Sequence, residues 1–199
     1  MKQRYGFISN SSSMSFIVFG TNNDEWLTEI PEYLIKCKPV AWDKTLKDWS
    51  ITVPDKKSNM EFGWQFKRYY EFGAKLNYAL AQALGVKGNL SYDYKEMIRK
   101  VLEKYIPDQA YLHLLIDYNY FHWDSIKSRQ CSIDHQSAYY EYREPYHYIF
   151  RSEELLERFL FNTGSYIQCG NDNEEAPNEQ WEESYQRFQD WAETQGLSI

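Results

Sequence analysis

Cysteine, glycine and long apolar runs are all scarce in this sequence. Its three cysteines, Cys37, Cys131 and Cys169, lie far apart and form no CxxC pair, which argues against a zinc knuckle or a redox dithiol and favours a reducing compartment. The nine glycines do not cluster into a phosphate-binding loop. The apolar run at residues 16–19 is too short for a signal peptide, and no stretch approaches the length of a membrane span. We therefore expect a cytoplasmic protein with no membrane partner.

Basic residues are scarce in the second half of the chain. Residues 1–110 carry 16 Lys and Arg against 13 Asp and Glu, whereas residues 111–199 carry 6 against 16. Eight of these acids fall between residues 172 and 193, where Arg187 is the one basic residue. A negative surface disfavours direct nucleic-acid binding and favours a protein partner with a basic surface. The alternative is that these acids only form the solvated face of a helix.

Aromatic residues, by contrast, are abundant, with 18 Tyr, 11 Phe and 7 Trp making up 18% of the chain. Since Tyr and Trp combine a large apolar area with one polar group, they either fill the core and a sheet face or form an adhesive surface. The 43% of hydrophobic and 26% of charged residues are typical of a globular protein, and 199 residues suit one domain with a sizeable core.

The hydrophobic periodicity predicts a single α+β domain at residues 16–199, in which four to five helices pack on a mostly antiparallel sheet. A polar, serine-rich segment at residues 1–15 precedes it. Strands are predicted at 16–19, 49–53, 60–64, 111–118, 131–137, 139–150 and 166–169, the second and third as a hairpin and the fourth as a central strand. Helices are predicted from Asp24 to Pro39, at 66–84, at 92–105, after an N-cap at Ser152, and at 178–195.

The densest cluster of reactive side chains lies in the predicted strand 131–137. Cys131 and His135 would share one face of that strand, and a neighbouring base can activate a thiol as a nucleophile. Asp134 would point to the opposite face, so it cannot form a local dyad with His135. A structural histidine in a strand explains the same pattern, so both interpretations of the cluster stay open.

The predicted turn at residues 170–173 is a weak candidate for a metal site. Asn171, Asp172 and Asn173 supply the oxygen ligands that Ca²⁺ and Mg²⁺ prefer. The turn lacks the alternating carboxylates and the closing Glu of an EF-hand, and turn chemistry alone explains these residue types. If Asp172 and His135 converge in space, a metal or hydrolytic site becomes possible. The sequence otherwise predicts no cofactor.

One segment resembles a known group of proteins. Residues 4–18 read RYGFISNSSSMSFIV, a basic start followed by Gly-Phe-Ile-Ser-Asn, a serine run and a strand. This is similar to the N-terminal signature of many small, uncharacterised phage and prophage proteins, although Met14 interrupts the serine run. The resemblance implies a viral origin, and hence the cytoplasm of a bacterial host. It implies no activity and carries no catalytic residues.

Three functions follow as hypotheses. In the first, the chain is a phage-type binding protein that docks on a host or virion protein, and inhibition of a host nucleic-acid enzyme or defence system is one version of this hypothesis. Its contact surface would be the exposed part of the C-terminal helix, formed by Glu179, Glu182, Glu183, Asp190 and Trp191. In the second, it is a small metal-dependent hydrolase or nuclease that uses His135 with Asp134 or Asp172. In the third, it is a virion structural protein.

Overall fold

The computed structural model describes most of the chain, namely residues 13–39, 47–53, 60–63, 66–85, 89–106, 112–116, 120–122, 125–127, 131–133, 148–171 and 178–196. The described strands are β1 (Ser13–Val18), β2 (Ile35–Pro39), β3 (Lys47–Val53), β4 (Met60–Phe62), β5 (Lys67–Tyr69), β6 (Leu112–Ile116), β7 (Tyr120–His122), β8 (Ser125–Lys127), β9 (Cys131–Ile133) and β10 (Tyr166–Asn171). The described helices are α1 (Phe72–Gly85), α2 (Asn89–Glu103), α3 (Glu153–Phe161) and α4 (Asn178–Thr194).

The strands form three hydrogen-bonded sheets, in the orders β1-β10-β5, β2-β3-β6 and β4-β9-β8-β7. The first sheet is antiparallel throughout, with Ile17 opposite Ile167. The pairs β3–β6 and β4–β9 are parallel, and the other pairs are antiparallel. The predicted α+β class with mostly antiparallel strands is therefore confirmed, and four helices accompany the strands in the described part of the chain.

The sheet β1-β10-β5 is covered on both faces. In β1, residues 15–18 are all buried, although side chains alternate between the two faces of a strand. Ser15 bonds to the Tyr78 hydroxyl of α1 at 3.0 Å, and Phe16 packs on the other face against Trp181 of α4 at a centroid distance of 5.1 Å. The sheet is thus a middle layer, with α4 on one side and α1 on the other.

Helix α1 is buried on nearly every side, with residues 72–83 all in the interior. Ala74, Ala79, Ala81 and Ala83 keep it thin enough for neighbouring elements to approach closely. It packs against α2 and α3 and against strands β3, β8 and β9. Helix α1 is therefore the centre of the hydrophobic core.

No helix among the described residues is long and apolar enough to cross a bilayer.

Two loops cross at a buried polar contact, which we name the Asn162 junction. Asn162 is the C-cap of α3 and is fully buried. Its side-chain Nδ2 donates to the carbonyl of Thr21 at 2.8 Å, and its Oδ1 accepts from the amide of Gly164 at 2.9 Å. The carbonyl of Asn162 accepts from Nζ of Lys75 on α1 at 2.9 Å. One side chain and its backbone thus join α1, the end of α3 and the turn that follows β1.

The outer edge of β1 carries a second long-range contact. The Tyr148 hydroxyl accepts from the amide of Ile17 at 3.0 Å and donates to the carbonyl of the same residue at 3.3 Å. In an antiparallel strand, both groups of one residue point to the same side. These groups of Ile17 therefore point away from β10, and a tyrosine from a distant part of the chain bonds both.

The helix predicted from Asp24 to Pro39 is wrong. Residues 21–34 form turns, and residues 35–39 form β2. The amide of Leu27 donates to the Phe161 carbonyl at 2.8 Å, and the amide of Thr163 donates to the Glu25 carbonyl at 2.8 Å. Backbone groups that a helix would pair internally are used instead for contacts with the end of α3.

The predicted hairpin at residues 49–64 is also wrong, because its two strands belong to different sheets. Strand β3 lies between β2 and β6, whereas β4 pairs with β9. Strand β3, and not residues 111–118, is therefore central in the described part of its sheet. The helix predicted at 66–84 is corrected at its start, since residues 67–69 form β5 and α1 begins at Phe72.

Several predicted elements are confirmed. Helices α2 and α4 lie close to the predicted bounds, and Ser152 caps α3 by accepting the Leu155 amide at 3.1 Å. The first strand is confirmed but begins at Ser13, inside the predicted serine-rich segment. Of the predicted strands at 131–137 and 139–150, only residues 131–133 are a described strand; residues 148–150 form a 3₁₀ turn, and 134–147 lie outside the described residues.

The Asn162 junction yields a stability prediction. We expect Asn162→Ala to lower the free energy of unfolding by about 2–4 kcal/mol, because the Thr21 carbonyl and the Gly164 amide lose their buried partner. The measurement is urea denaturation followed by circular dichroism. Asn22→Ala is the matched control: Asn22 is exposed and accepts one bond from Arg158 at 2.9 Å, so we expect a change within about 0.5 kcal/mol. Equal effects of the two variants would contradict the central role of the junction.

Candidate functional site

Helix α4 separates its acidic residues from its apolar ones. At about 100° per residue, its five acids project within a sector of about 100°, over a length of about 21 Å. All five are exposed, and we name them the acidic stripe: Glu179, Glu182, Glu183, Asp190 and Glu193. Gln186 fills the gap in the stripe and donates to Asp190 at 2.7 Å. The opposite face carries the predicted inward residues Trp181, Tyr185, Phe188 and Ala192.

The inward face of α4 is anchored on one aromatic residue of β1. Phe16 lies within 5.9 Å, between ring centroids, of Trp181, Tyr185 and Phe188. Aromatic contacts of this kind contribute about 0.5–1.5 kcal/mol each beyond their buried area. Phe188 and Ala192 are buried, which confirms the predicted inward stripe. Burial also raises the pKa of Tyr185, so its hydroxyl stays neutral in the physiological range.

A buried polar network fixes α4 on the sheet in one register. The Ser184 hydroxyl lies 2.8 Å from Oε1 of Gln168 and 2.9 Å from the Tyr166 hydroxyl. Arg68 of β5 reaches the same point, since its Nε donates to Gln168 at 3.0 Å and its terminal nitrogen donates to Ser184 at 2.9 Å. Because buried polar groups need these partners, a helix displaced along the sheet would leave several of them unsatisfied.

Charge on the acidic stripe is little compensated. Arg68 approaches Glu183 at 3.4 Å, but this Glu side chain is 60% exposed, so the pair contributes at most about 1 kcal/mol. No basic side chain among the described residues lies within ion-pair distance of the other four acids. Arg187, the one basic residue of α4, donates to the Phe19 carbonyl at 3.2 Å and lies against the Tyr166 ring. The stripe therefore presents a nearly unbroken negative surface.

Trp191 is the one non-acidic residue that the sequence analysis places in the exposed contact surface. It is half-buried, with its ring 4.6 Å from that of Phe19 and 4.9 Å from that of Tyr148. It lies on the side of α4 away from the acids and stabilises the C-terminal end of the helix. Trp191 is therefore less exposed than the sequence analysis expected, and its role as a contact residue stays a prediction.

Most of the catalytic and metal candidates lie outside the described residues. Cys131 begins β9, where its backbone lies opposite Met60, whereas Asp134 and His135 lie outside the described residues. Asn171 ends β10 and Gly170 also belongs to that strand, so the predicted turn does not start at residue 170. Asp172 and Asn173 lie outside the described residues. In the described part of the chain, no group of three His, Cys, Asp or Glu could hold a metal ion.

The other two cysteines differ in exposure. Cys37 is exposed, whereas Cys169 is fully buried in β10. Burial raises the pKa of the Cys169 thiol to about 12, so it is an inert part of the core.

Sequence reasoning missed the residues that hold α4 in place: Arg68, Gln168, Gly170 and Ser184. Only Ser184 left a signal, because it lies three residues after Trp181 and so falls on the inward face of the predicted helix. A buried serine there requires polar partners. Gln168 and Arg68 are 16 and 116 residues away, and their pairing with it depends on the order of the strands.

No protein-family model, curated protein or solved structure matches this chain. The fold and the geometry of the site must therefore carry any functional conclusion.

The contact between Trp181 and Gly170 gives a prediction about this site. The Trp181 ring lies so close to Gly170 that an added Cβ would overlap it. We expect Gly170→Ala to destabilise the protein by about 1–3 kcal/mol, because either the ring or the helix must shift. The measurement is urea denaturation, with tryptophan fluorescence reporting the displaced ring.

The control is a double-mutant cycle with Trp181→Ala. In that background the ring is absent, and Gly170→Ala should cost less than about 0.5 kcal/mol. If Gly170→Ala costs the same in both backgrounds, the ring contact is not the cause of the destabilisation.

Proposed function

We propose that this chain is a phage-type binding protein that docks on a basic surface of a host or virion protein through the acidic stripe of α4. The supporting observation is that four of the five carboxylates in the stripe have no ion-pair partner among the described residues. A row of like charges disfavours the folded state, so binding to a basic partner, and not stability, would account for the presence of the row.

The rigid attachment of α4 supports the same proposal. Aromatic packing on Phe16 and the polar network at Ser184 hold the helix on the sheet, so its carboxylates keep their relative positions before a partner arrives. A preorganised surface loses less conformational entropy on binding. Complementary charge raises the association rate and selects against acidic partners.

The small area of the stripe limits what it can bind by itself. One helix face about 21 Å long is small compared with a stable protein interface, so the neighbouring surface must add area. Occupation of the basic groove of a nucleic-acid enzyme, or of a defence protein, is one version of the proposal. In it the carboxylates would take the place of phosphate groups.

The test is an affinity pull-down of the tagged chain from bacterial host lysate, at low and at high salt, followed by quantitative mass spectrometry. We expect one stoichiometric partner that is lost at high salt, because exposed charges are screened beyond about 10 Å at 0.1 M salt. Replacing Glu182, Glu183 and Asp190 by Lys should weaken the binding of the purified partner at least tenfold, as measured by calorimetry.

The matched control reverses three exposed acids outside α4: Glu29, Glu32 and Asp93. It changes the net charge equally, so an equal loss of binding would indicate a nonspecific charge effect and contradict the role of the stripe. Thermal melting of both variants confirms that they fold.

The hydrolase and virion-protein hypotheses stay predictions of the sequence. If no partner is captured at either salt concentration, the binding proposal fails. Metal-dependent hydrolase assays with His135→Ala would then test the second hypothesis, and the presence of the chain in purified particles would test the third.

A further inference from the structure

Lys75 is a lysine buried in the centre of the core. Its residue exposure is 1%, and it lies on α1 among residues that are almost all apolar. Its Nζ donates one hydrogen bond, at 2.9 Å, to the carbonyl of Asn162. No carboxylate among the described residues lies within ion-pair distance of it. Glu71, which immediately precedes α1, is the charged group that acts on it, and Glu71 itself is exposed.

These surroundings disfavour the charged form of the amine. An ammonium group has three donors and a large hydration energy, whereas the described residues give it one hydrogen-bonding carbonyl, that of Asn162. Desolvation outweighs the attraction of Glu71 and lowers the pKa of Lys75 from 10.5 to about 7. A neutral amine still donates to the Asn162 carbonyl, so the hydrogen bond does not require the charge.

The position of Lys75 makes its charge state important for the structure. The carbonyl that it contacts belongs to the Asn162 junction, where the turn after β1 crosses the end of α3. Separation of α1 from this junction would let water reach the ammonium. The two loops of the junction are themselves joined by the bonds from Leu27 to Phe161 and from Thr163 to Glu25, which would report such a movement if it spread to the crossing.

We propose that Lys75 is a proton-sensitive latch: the neutral amine closes α1 on the Asn162 junction, and protonation opens the crossing of residues 20–27 with residues 161–165. The opening exposes Leu27 and Phe161, which are otherwise packed in the core. This device is independent of the acidic stripe, which lies on a different helix.

The sign of the pH dependence follows from linkage. The pKa of Lys75 is lower in the folded chain than in the unfolded one, so the unfolded chain binds more protons between about pH 7 and pH 10.5. Stability therefore rises with pH in this window, and the penalty is fully present below it. Above about pH 9 the effect is offset, since burial raises the pKa of Cys169 and favours the unfolded thiolate. The informative range is thus about pH 6 to 8.5, with up to about a tenfold change in the unfolding constant per pH unit.

The first measurement is an NMR titration of the lysine side chains in the full wild-type chain. We expect one lysine to titrate near pH 7, and its signal to be absent from Lys75→Met. Detection of every lysine titrating above pH 9 would overturn the proposal. The titration itself is made on the wild-type chain, and Lys75→Met serves only to assign the signal.

The second measurement is hydrogen exchange at pH 6 and pH 8, corrected for the intrinsic rates. In the wild type, protection of the amides of Leu27, Thr163 and Gly164 should fall about tenfold from pH 8 to pH 6. In Lys75→Gln, which keeps a donor but does not titrate, their protection should be equal at both pH values.

Lys104→Met is the control, because Lys104 is a partly exposed lysine paired with Glu157 at 2.8 Å. It should keep the wild-type pH dependence. A lysine that titrates near pH 7 without any change in protection at the crossing would show a titrating core group and no latch. Persistence of the pH dependence in Lys75→Gln would likewise overturn the proposal.

Discussion

The pairing of β10 with both β1 and β5 is the constraint on which the described structure depends. Strand β10 brings residues near the start of the chain, residues 67–69 and residues near its end into one sheet. Because α1 covers one face of this sheet and α4 the other, its strands must be apolar on both sides. Where they are polar, as at Ser15 and Gln168, each side chain bonds to a partner in the covering helix. Helix α4 and its acidic stripe are placed by this sheet.

Buried polar contacts determine how the covering elements fit. Ser184 fixes α4, and Asn162 fixes the crossing of the two loops. Hydrophobic packing alone tolerates small shifts of a helix, whereas a buried hydroxyl or amide tolerates little, since a lost partner costs about 1–3 kcal/mol. These contacts therefore specify one arrangement more than they add net stability. Lys75 is the extreme case, because its partner satisfies only one of the donors that its charged form would carry.

The sequence predicted the elements whose signals are local. Helix α4 followed from its spacing of Trp181, Tyr185 and Phe188, the start of α3 from Ser152, and β1 and β10 from their β-branched and aromatic residues. Residues 21–34 could not be predicted, because the backbone groups of Glu25 and Leu27 bond to residues 161 and 163, far along the chain. The break between β5 and α1 was missed because Phe66 and Tyr69 also fit a helical period. The acidic stripe was predictable from spacing, but the approach of Arg68 to it depends on strand order, which periodicity does not contain.

The hydroxyl of Tyr148 at the rim of β1 has a consequence for assembly. An open strand edge is a template on which another polypeptide can add, and natural sheets usually protect such edges with charge, proline or a bulge. Here a phenol occupies the amide and the carbonyl of Ile17, so no incoming strand can pair at that residue. Tyr148 follows Ile17 by 131 residues, so this protection comes from a part of the chain that is made much later. A newly made chain that stops before Tyr148 has also not made β10, so both edges of β1 are then unpaired, and the strand gains its partner and this protection only late in synthesis.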